Sequence, residues 1–317
     1  MNRQKLGADL SLLAVAFVWG TTFVIIQNAI STLPPFTFNT VRFYLAGLSL
    51  LALLLIKEKG RIQLNPRSLL PGLLLGFFLF LGYAFQTFGL LFTTPAKAGF
   101  ITGLSVILVP FLGILLLKQR PLSASITGAI SACFGLYLLA SGHAQSVNFG
   151  DLLVLVCALG FAFHIIFTDK YAKTISALQL TVIQIMTVAV LSFLSMLFFE
   201  DWQSSLSLDT LLQMNVLSAL IVTALLATSA AYFIQTSAQK YTTPARVAVI
   251  LTMEPVFAAL SSYLWIGEEL TGLALVGCLF IFMGMLVTEL PGLIRFATKK
   301  AIKRLNFSKT VFLWLVA

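Results

Sequence analysis

Ten apolar runs, each near the roughly 20 residues a helix needs to cross a bilayer, follow one another along this chain. They lie at 9–29, 35–56, 69–91, 95–117, 121–141, 149–169, 176–199, 210–233, 244–266 and 270–290. No other feature restricts the fold as much, because backbone polar groups in hydrocarbon must be satisfied within helices or closed barrels. The alternating runs of about ten residues that build a barrel are missing. Composition agrees: charged residues make up only 10% of the 317, against about 25% in soluble domains. A soluble protein of this size could not hide an apolar share of 59%, since its exterior must be wetted. The expected class is an all-α integral membrane protein with ten transmembrane helices. Soluble enzymes, disordered chains, coiled coils and disulfide-stapled secreted domains are excluded. Cys133, Cys157 and Cys278 are scattered without metal-ligand spacing, so no metal or cofactor is expected.

The linkers are short and carry most of the Pro and charge: Pro34-Pro35, Lys57-Glu58-Lys59-Gly60, Thr94-Pro95, Arg120-Pro121, Glu200-Asp201 and Thr243-Pro244. Pro suits the first turn of a helix, where its missing N–H has no partner to lose. The first run is longer than a signal-peptide core and lacks an Ala-x-Ala site, so it reads as a retained span. With the N-terminus placed inside, alternate linkers gather every Lys and Arg except Arg42 and Lys97 on the inner side. The outer linkers hold Glu200, Asp201, Asp209, Glu268 and Glu269. By the positive-inside rule both termini face the cytoplasm of a plasma or inner membrane. The net charge of +9 is then a topology signal, and no nucleic-acid partner is needed to explain it.

An internal repeat is written into the chain. Tyr83-Ala-Phe-Gln86-Thr87 through Thr93-Thr94-Pro95-Ala96-Lys97 matches Tyr232-Phe-Ile-Gln235-Thr236 through Thr242-Thr243-Pro244-Ala245-Arg246 at an offset of 149, with seven of 15 positions identical. Gly128 and Gly135 meet Gly277 and Gly284 at the same offset; Asp9 meets Asp151 at an offset of 142. Pro110 and Pro255 do not align. Five helices per half is an odd number, which turns the second half upside down in the membrane. Inverted repeats mark secondary transporters, with the substrate held near the midplane between the halves. The expected divisions are a cytoplasmic N-terminus 1–8, a first five-helix repeat 9–141, an outer linker 142–148, a second repeat 149–290 and a basic tail 291–317. The tail is basic and amphipathic and its apolar end, Val311 to Ala317, is too short to span, so it is expected to lie along the inner surface.

Four stretches carry a family resemblance: Trp19-Gly20-Thr-Thr-Phe23; Arg42; Ala98-Gly99-Phe100-Ile101-Thr102-Gly103-Leu104 through Pro110; and Leu251-Thr-Met-Glu254-Pro255-Val256-Phe257 through Gly267-Glu268. Together they resemble the EamA-like branch of the drug/metabolite transporter superfamily over about residues 9 to 290. The resemblance implies two inverted five-helix units and a central cavity lined by helices one to four and six to nine, with helices five and ten to the side. It also implies export or exchange of small metabolites, amino acids among them, or drug efflux. The second half departs from the pattern: Phe161-Ala162 stands where the first has Trp19-Gly20, and Gln184 stands opposite Arg42.

Ionisable groups inside spans are expensive and so are functional candidates. Glu254, about 15 Å into its run and near the middle of the bilayer, is a candidate coupling or proton site. It is equally an acid anchoring a helix that restarts at Pro255, where the helix dipole favours negative charge. Arg42 stays charged at any working pH, and either takes a substrate carboxylate or pairs with an acid such as Glu254. Lys97 and Arg246, repeat partners at opposite mouths, either draw anions inward or snorkel to the interface. Tyr83 with Gln86, and Tyr232 with Gln235, share helix faces by their spacing of three, as do Trp19 and Thr22. These six side chains suit substrate binding or interhelical hydrogen bonds. His164 aligns with Thr22 and is either a binding group that titrates near neutrality or a satisfied structural histidine. The four glycines suit close helix packing. No phosphate loop, metal cluster or hydrolytic triad is present.

The sequence thus reads as a secondary transporter of small organic metabolites by alternating access, with protons as a candidate coupling ion and no enzymatic activity. An intramembrane enzyme would have Glu254 and His164 as its only pair of groups.

Overall fold

The computed structural model describes residues 3–59, 65–119, 121–141, 148–267 and 270–288. The outer linker from 142 to 147, Arg61, Arg120, Glu268, Glu269 and the basic tail lie outside these residues. Among the described residues the chain is helical throughout, without strands. The first half forms α1 (Arg3–Ile30), α2 (Pro35–Lys57), α3 (Pro66–Gly89), α4 (Pro95–Gly103), α5 (Ser105–Leu117) and α6 (Ser123–Ser141). The second forms α7 (Phe149–Ala172) and α8 (Ala177–Phe199), then two single turns, α9 (Trp202–Ser205) and α10 (Leu208–Leu211). It continues with α11 (Met214–Ala224), a π-helical segment (Leu225–Ala230), α12 (Ala231–Ala238), α13 (Pro244–Leu251) and α14 (Met253–Ile266). A last helix, α15, covers Gly272–Thr288.

Local chemistry sets the helix starts. Pro35, Pro66, Pro95 and Pro244 occupy first-turn positions. The side chain of Asn65 accepts a hydrogen bond from the Arg67 N–H, which starts α3 before the expected residue 69. Asn148 and Asp151 cap α7 reciprocally. At α2 the cap comes from far away. The N–H groups of Phe36 and Thr37 and the Thr37 hydroxyl all donate to Glu200 at 2.7 Å. An acid expected to be a loop charge thus pins α2, the helix carrying Arg42, to the end of α8.

Eight helices, counting α4–α5, α11–α12 and α13–α14 as continuous, are long and apolar enough to cross a bilayer. The expected fifth and tenth spans are realised as shorter apolar helices, Ser123–Leu139 and Gly272–Thr288. These two pack on each other. A Cβ on Gly128 would strike the Gly284 carbonyl, and one on Gly135 the Gly277 carbonyl. The contact is antiparallel and exchanges repeat-equivalent glycines. The two-fold axis that relates them therefore runs across the helix axes, which is the geometry of an inverted repeat.

Two of the crossings are broken at equivalent places. The first breaks at Leu104, between α4 and α5, and the second at Thr252, between α13 and α14. The breaks lie within one residue of each other at the repeat offset, although Pro110 and Pro255 do not align. At Leu104, bonds from its N–H to the Ile101 carbonyl and from the Ile107 N–H to its own carbonyl replace the regular ladder. At Thr252, Pro255 removes the N–H that would have bonded Leu251.

Candidate functional site

The broken helices meet α1, α2, α3, α7 and α12 around one central cavity. About 700 Å³ of atom-free space lies there, open solvent included. All nine residues expected to bind substrate or couple transport line it: Trp19, Thr22, Arg42, Tyr83, Gln86, His164, Tyr232, Gln235 and Glu254. They come from both halves, and most are repeat pairs: Tyr83 with Tyr232, Gln86 with Gln235, and Thr22 with His164. Trp19 pairs with Phe161, a lining residue that the sequence pattern did not single out; Ser105, the counterpart of Glu254, is another. α6 and α15 contribute no lining residue, as the resemblance implied. α8 contributes none either, which corrects the expectation for helix seven. Its Gln184 is wholly buried behind His164, with Oε1 2.8 Å from the imidazole Nε2.

Trp19-Gly20 has a geometric reason. A Cβ on Gly20 would strike the Glu254 carbonyl oxygen, so glycine lets α1 close on the start of α14. Trp19 turns its ring onto Tyr232, with centroids 5.1 Å apart. Its indole N–H donates to the Ala227 carbonyl at 2.7 Å.

Arg42 is 1% exposed. Its Nε donates to Thr228 Oγ1 at 2.8 Å, and its guanidinium lies over the Tyr83 ring at 4.8 Å. The Tyr83 oxygen accepts from Arg42 Nη2 at 3.5 Å and from the Tyr232 hydroxyl at 2.9 Å. Arg42 Nη1 has no hydrogen-bond partner among the described residues. Glu254 lies in the first turn of α14 and lines the same cavity, yet no ion pair joins it to Arg42 among the described residues. The pairing entertained from sequence is therefore not made, and the arginine leans on hydroxyls and rings instead. Leaving a buried charge without a counterion costs several kcal/mol unless something repays it.

Thr228 and Ala227 belong to the π-helical segment, which sequence reasoning missed. Ser229 of the same segment lies 2.6 Å from the Ser49 hydroxyl and donates to the Ala46 carbonyl. One extra residue per turn thus presents three successive residues to the first half. Such segments frequently mark functional sites, but no residue type in Leu225–Ala230 announces one.

Lys97 and Arg246, expected to draw anions or to snorkel, are instead taken up in ion pairs. Lys97 Nζ lies 2.6 Å from Asp151, and Arg246 Nη2 lies 2.8 Å from Asp9.

The sequence matches the EamA-like transporter family twice, over residues 6–141 and 148–290. The chain belongs to that family. The two matched stretches coincide with the two halves of the repeat. A transporter of Archaeoglobus fulgidus is 35% identical over 90% of this chain and 87% of its own length. Protein PecM of Dickeya dadantii is 25% identical over 93% and 95%. A protein of Salmonella typhimurium named "Probable amino-acid metabolite efflux pump" is 26% identical over 87% and 92%. A crystal structure of 20% identity superposes with a TM-score of 0.75 over 90% of this chain and 96% of the other, a likeness of fold alone. With the family shown, the chain is a multi-span membrane protein whose central cavity lies between the two family units.

Proposed function

We propose that the chain is a ten-crossing secondary transporter that exports or exchanges small organic metabolites, with amino acids the first class to test. The observation that carries this reading is the charge arrangement of the cavity. A buried guanidinium with an unpartnered Nη1 and a carboxylate without an ion pair among the described residues share one site walled by aromatic rings. A solute carboxylate would complete Arg42, a solute ammonium would answer Glu254, and the rings would take an apolar substituent. The Salmonella relative's name points to the same class. A drug-efflux reading draws on the aromatic walls, but a cationic drug would meet Arg42 as a repulsive charge. An intramembrane enzyme finds less support: His164 Nε2 is engaged by Gln184, and no hydrogen bond joins His164 to Glu254 among the described residues.

The test is flux of labelled amino acids into proteoliposomes, preceded by a thermal-shift screen in detergent, since a ligand of the folded state raises its apparent stability. Counterflow of at least one carboxylated amine is expected. No flux across a broad panel would sink the reading. Orientation is checked with single cysteines at the exposed positions Asp209 and Arg67. An impermeant thiol reagent should reach Asp209→Cys from outside the cell and Arg67→Cys only from the cytoplasm.

A further inference from the structure

Two ion pairs join the halves, and the repeat relates them. Lys97 and Arg246 are equivalent at the 149 offset, as are Asp9 and Asp151 at 142. Each cation pairs with the acid of the other half, never with its own. α1 begins at the end where Asp9 sits and α7 begins at the opposite end, so the two pairs lie toward opposite ends of the bundle. Both pairs are largely buried, with side-chain exposures of 13% and 6% in one and 14% and 7% in the other. Solvent and salt therefore screen them less than surface pairs.

Each cation also stands in the first turn of a short half-helix that ends at a break: α4 runs from Pro95 to the break at Leu104, and α13 from Pro244 to the break at Thr252. Both breaks adjoin cavity-lining residues, Gly103 and Ser105 at one, Leu251 and Glu254 at the other. A half-helix held at its far end by an ion pair and jointed at the cavity is a lever with a catch.

We propose that Lys97–Asp151 and Arg246–Asp9 are a matched pair of latches, each of which, on opening alone, lets its half-helix swing and exposes the cavity at its own mouth. Asp151 also accepts from the Thr93 hydroxyl at 2.6 Å and from the Asn148 N–H at 3.0 Å. This inference uses the transport reading for its purpose, but its test needs no substrate.

The test places a single reporter, Ser105→Cys, in the full-length chain after Cys133, Cys157 and Cys278 are replaced by Ala, with the protein in sealed vesicles of known orientation. The rate of modification by a membrane-impermeant maleimide is read from each side. Asp151→Asn should raise the rate about tenfold, between the worth of exposed and buried pairs, from the Lys97 side alone. Asp9→Asn should raise it from the opposite side alone. The exchanged pair Lys97→Asp with Asp151→Lys should return the rate to that of the parent. If the exchanged chain does not fold, Lys97→Gln must reproduce the side and size of the Asp151→Asn effect. Rates unchanged by Asp151→Asn, or raised equally from both sides, overturn the proposal. So does a folded exchanged chain that stays fast, or a Lys97→Gln rate unlike that of Asp151→Asn. Absence of any metabolite flux in the parent would sink the transport reading and leave these rates standing.

Discussion

At its two ends the molecule sets out the same chemistry twice: an acid near the start of α1 or α7, a cation near the start of α4 or α13, and a half-helix running from it to a break. Midway between them the halves part company. Arg42 has Gln184 as its counterpart, Glu254 has Ser105, and Trp19 has Phe161. One half thus supplies the cavity's guanidinium and the other its carboxyl group. On the proposed transport reading, the like parts at the two ends would serve a movement made in turn at each side, and the unlike centre would hold a solute with two unlike ends in one orientation rather than two.

The comparison breaks most sharply at Arg42. Arg42→Gln installs the residue that the second half carries and makes the centre neutral on that side. Flux of carboxylated solutes should fall roughly a hundredfold or more, the range for removing one partner of a buried charged contact. Folded yield should hold or rise, because a buried charge has been removed. Flux retained in this variant would mean that the asymmetry serves packing. Glu254→Gln keeps the shape of a protonated acid. It should bring accumulation driven by a pH gradient down to the exchange level while exchange itself continues; pH-driven accumulation equal to the parent's would take Glu254 out of coupling.

Where the halves are alike, paired substitutions should cost alike. Gly135→Leu and its repeat equivalent Gly284→Leu each force a side chain against a backbone carbonyl across the α6–α15 contact. Each should destabilise by about 1–3 kcal/mol, measured by thermal unfolding in detergent. A gap larger than about 1 kcal/mol between them would show that the two-fold packing is only approximate. The smallest effect separates the two glutamines. Gln86 Nε2 donates to the Thr102 hydroxyl at 3.2 Å, so Gln86→Ala should cost about 1 kcal/mol of stability. Gln235 Oε1 has no partner among the described residues. Gln235→Ala should leave stability alone and change substrate affinity a few-fold.

Much of this was legible in the chain because it rests on local rules. Bilayer thickness fixes run length, Pro marks first turns, and the duplication is spelled out in Tyr-x-x-Gln-Thr and Thr-Thr-Pro-Ala. Depth and polarity were enough to name nine residues of the cavity, because a polar side chain in the middle of a span has few places to go other than a protein interior. The π-helical segment was not legible: Leu-Leu-Ala-Thr-Ser-Ala reads as ordinary helix, and only the hydrogen bonds of Trp19, Arg42 and Ser49 show why its turn widens.

The sequence by itself determined that the chain is a helical membrane protein built from two related halves, and that charge sits inside its spans. Those are consequences of hydrophobicity and spacing, which any short window reveals. Tertiary structure alone decided the partners. Arg42 bonds Thr228, 186 positions away, rather than an acid, and Lys97 closes on Asp151 of the other half rather than on lipid or solute. Pairing of this kind depends on which faces of distant helices meet across a two-fold axis. That is set by close packing such as the glycine contact of α6 with α15, and no window of sequence contains both sides of it.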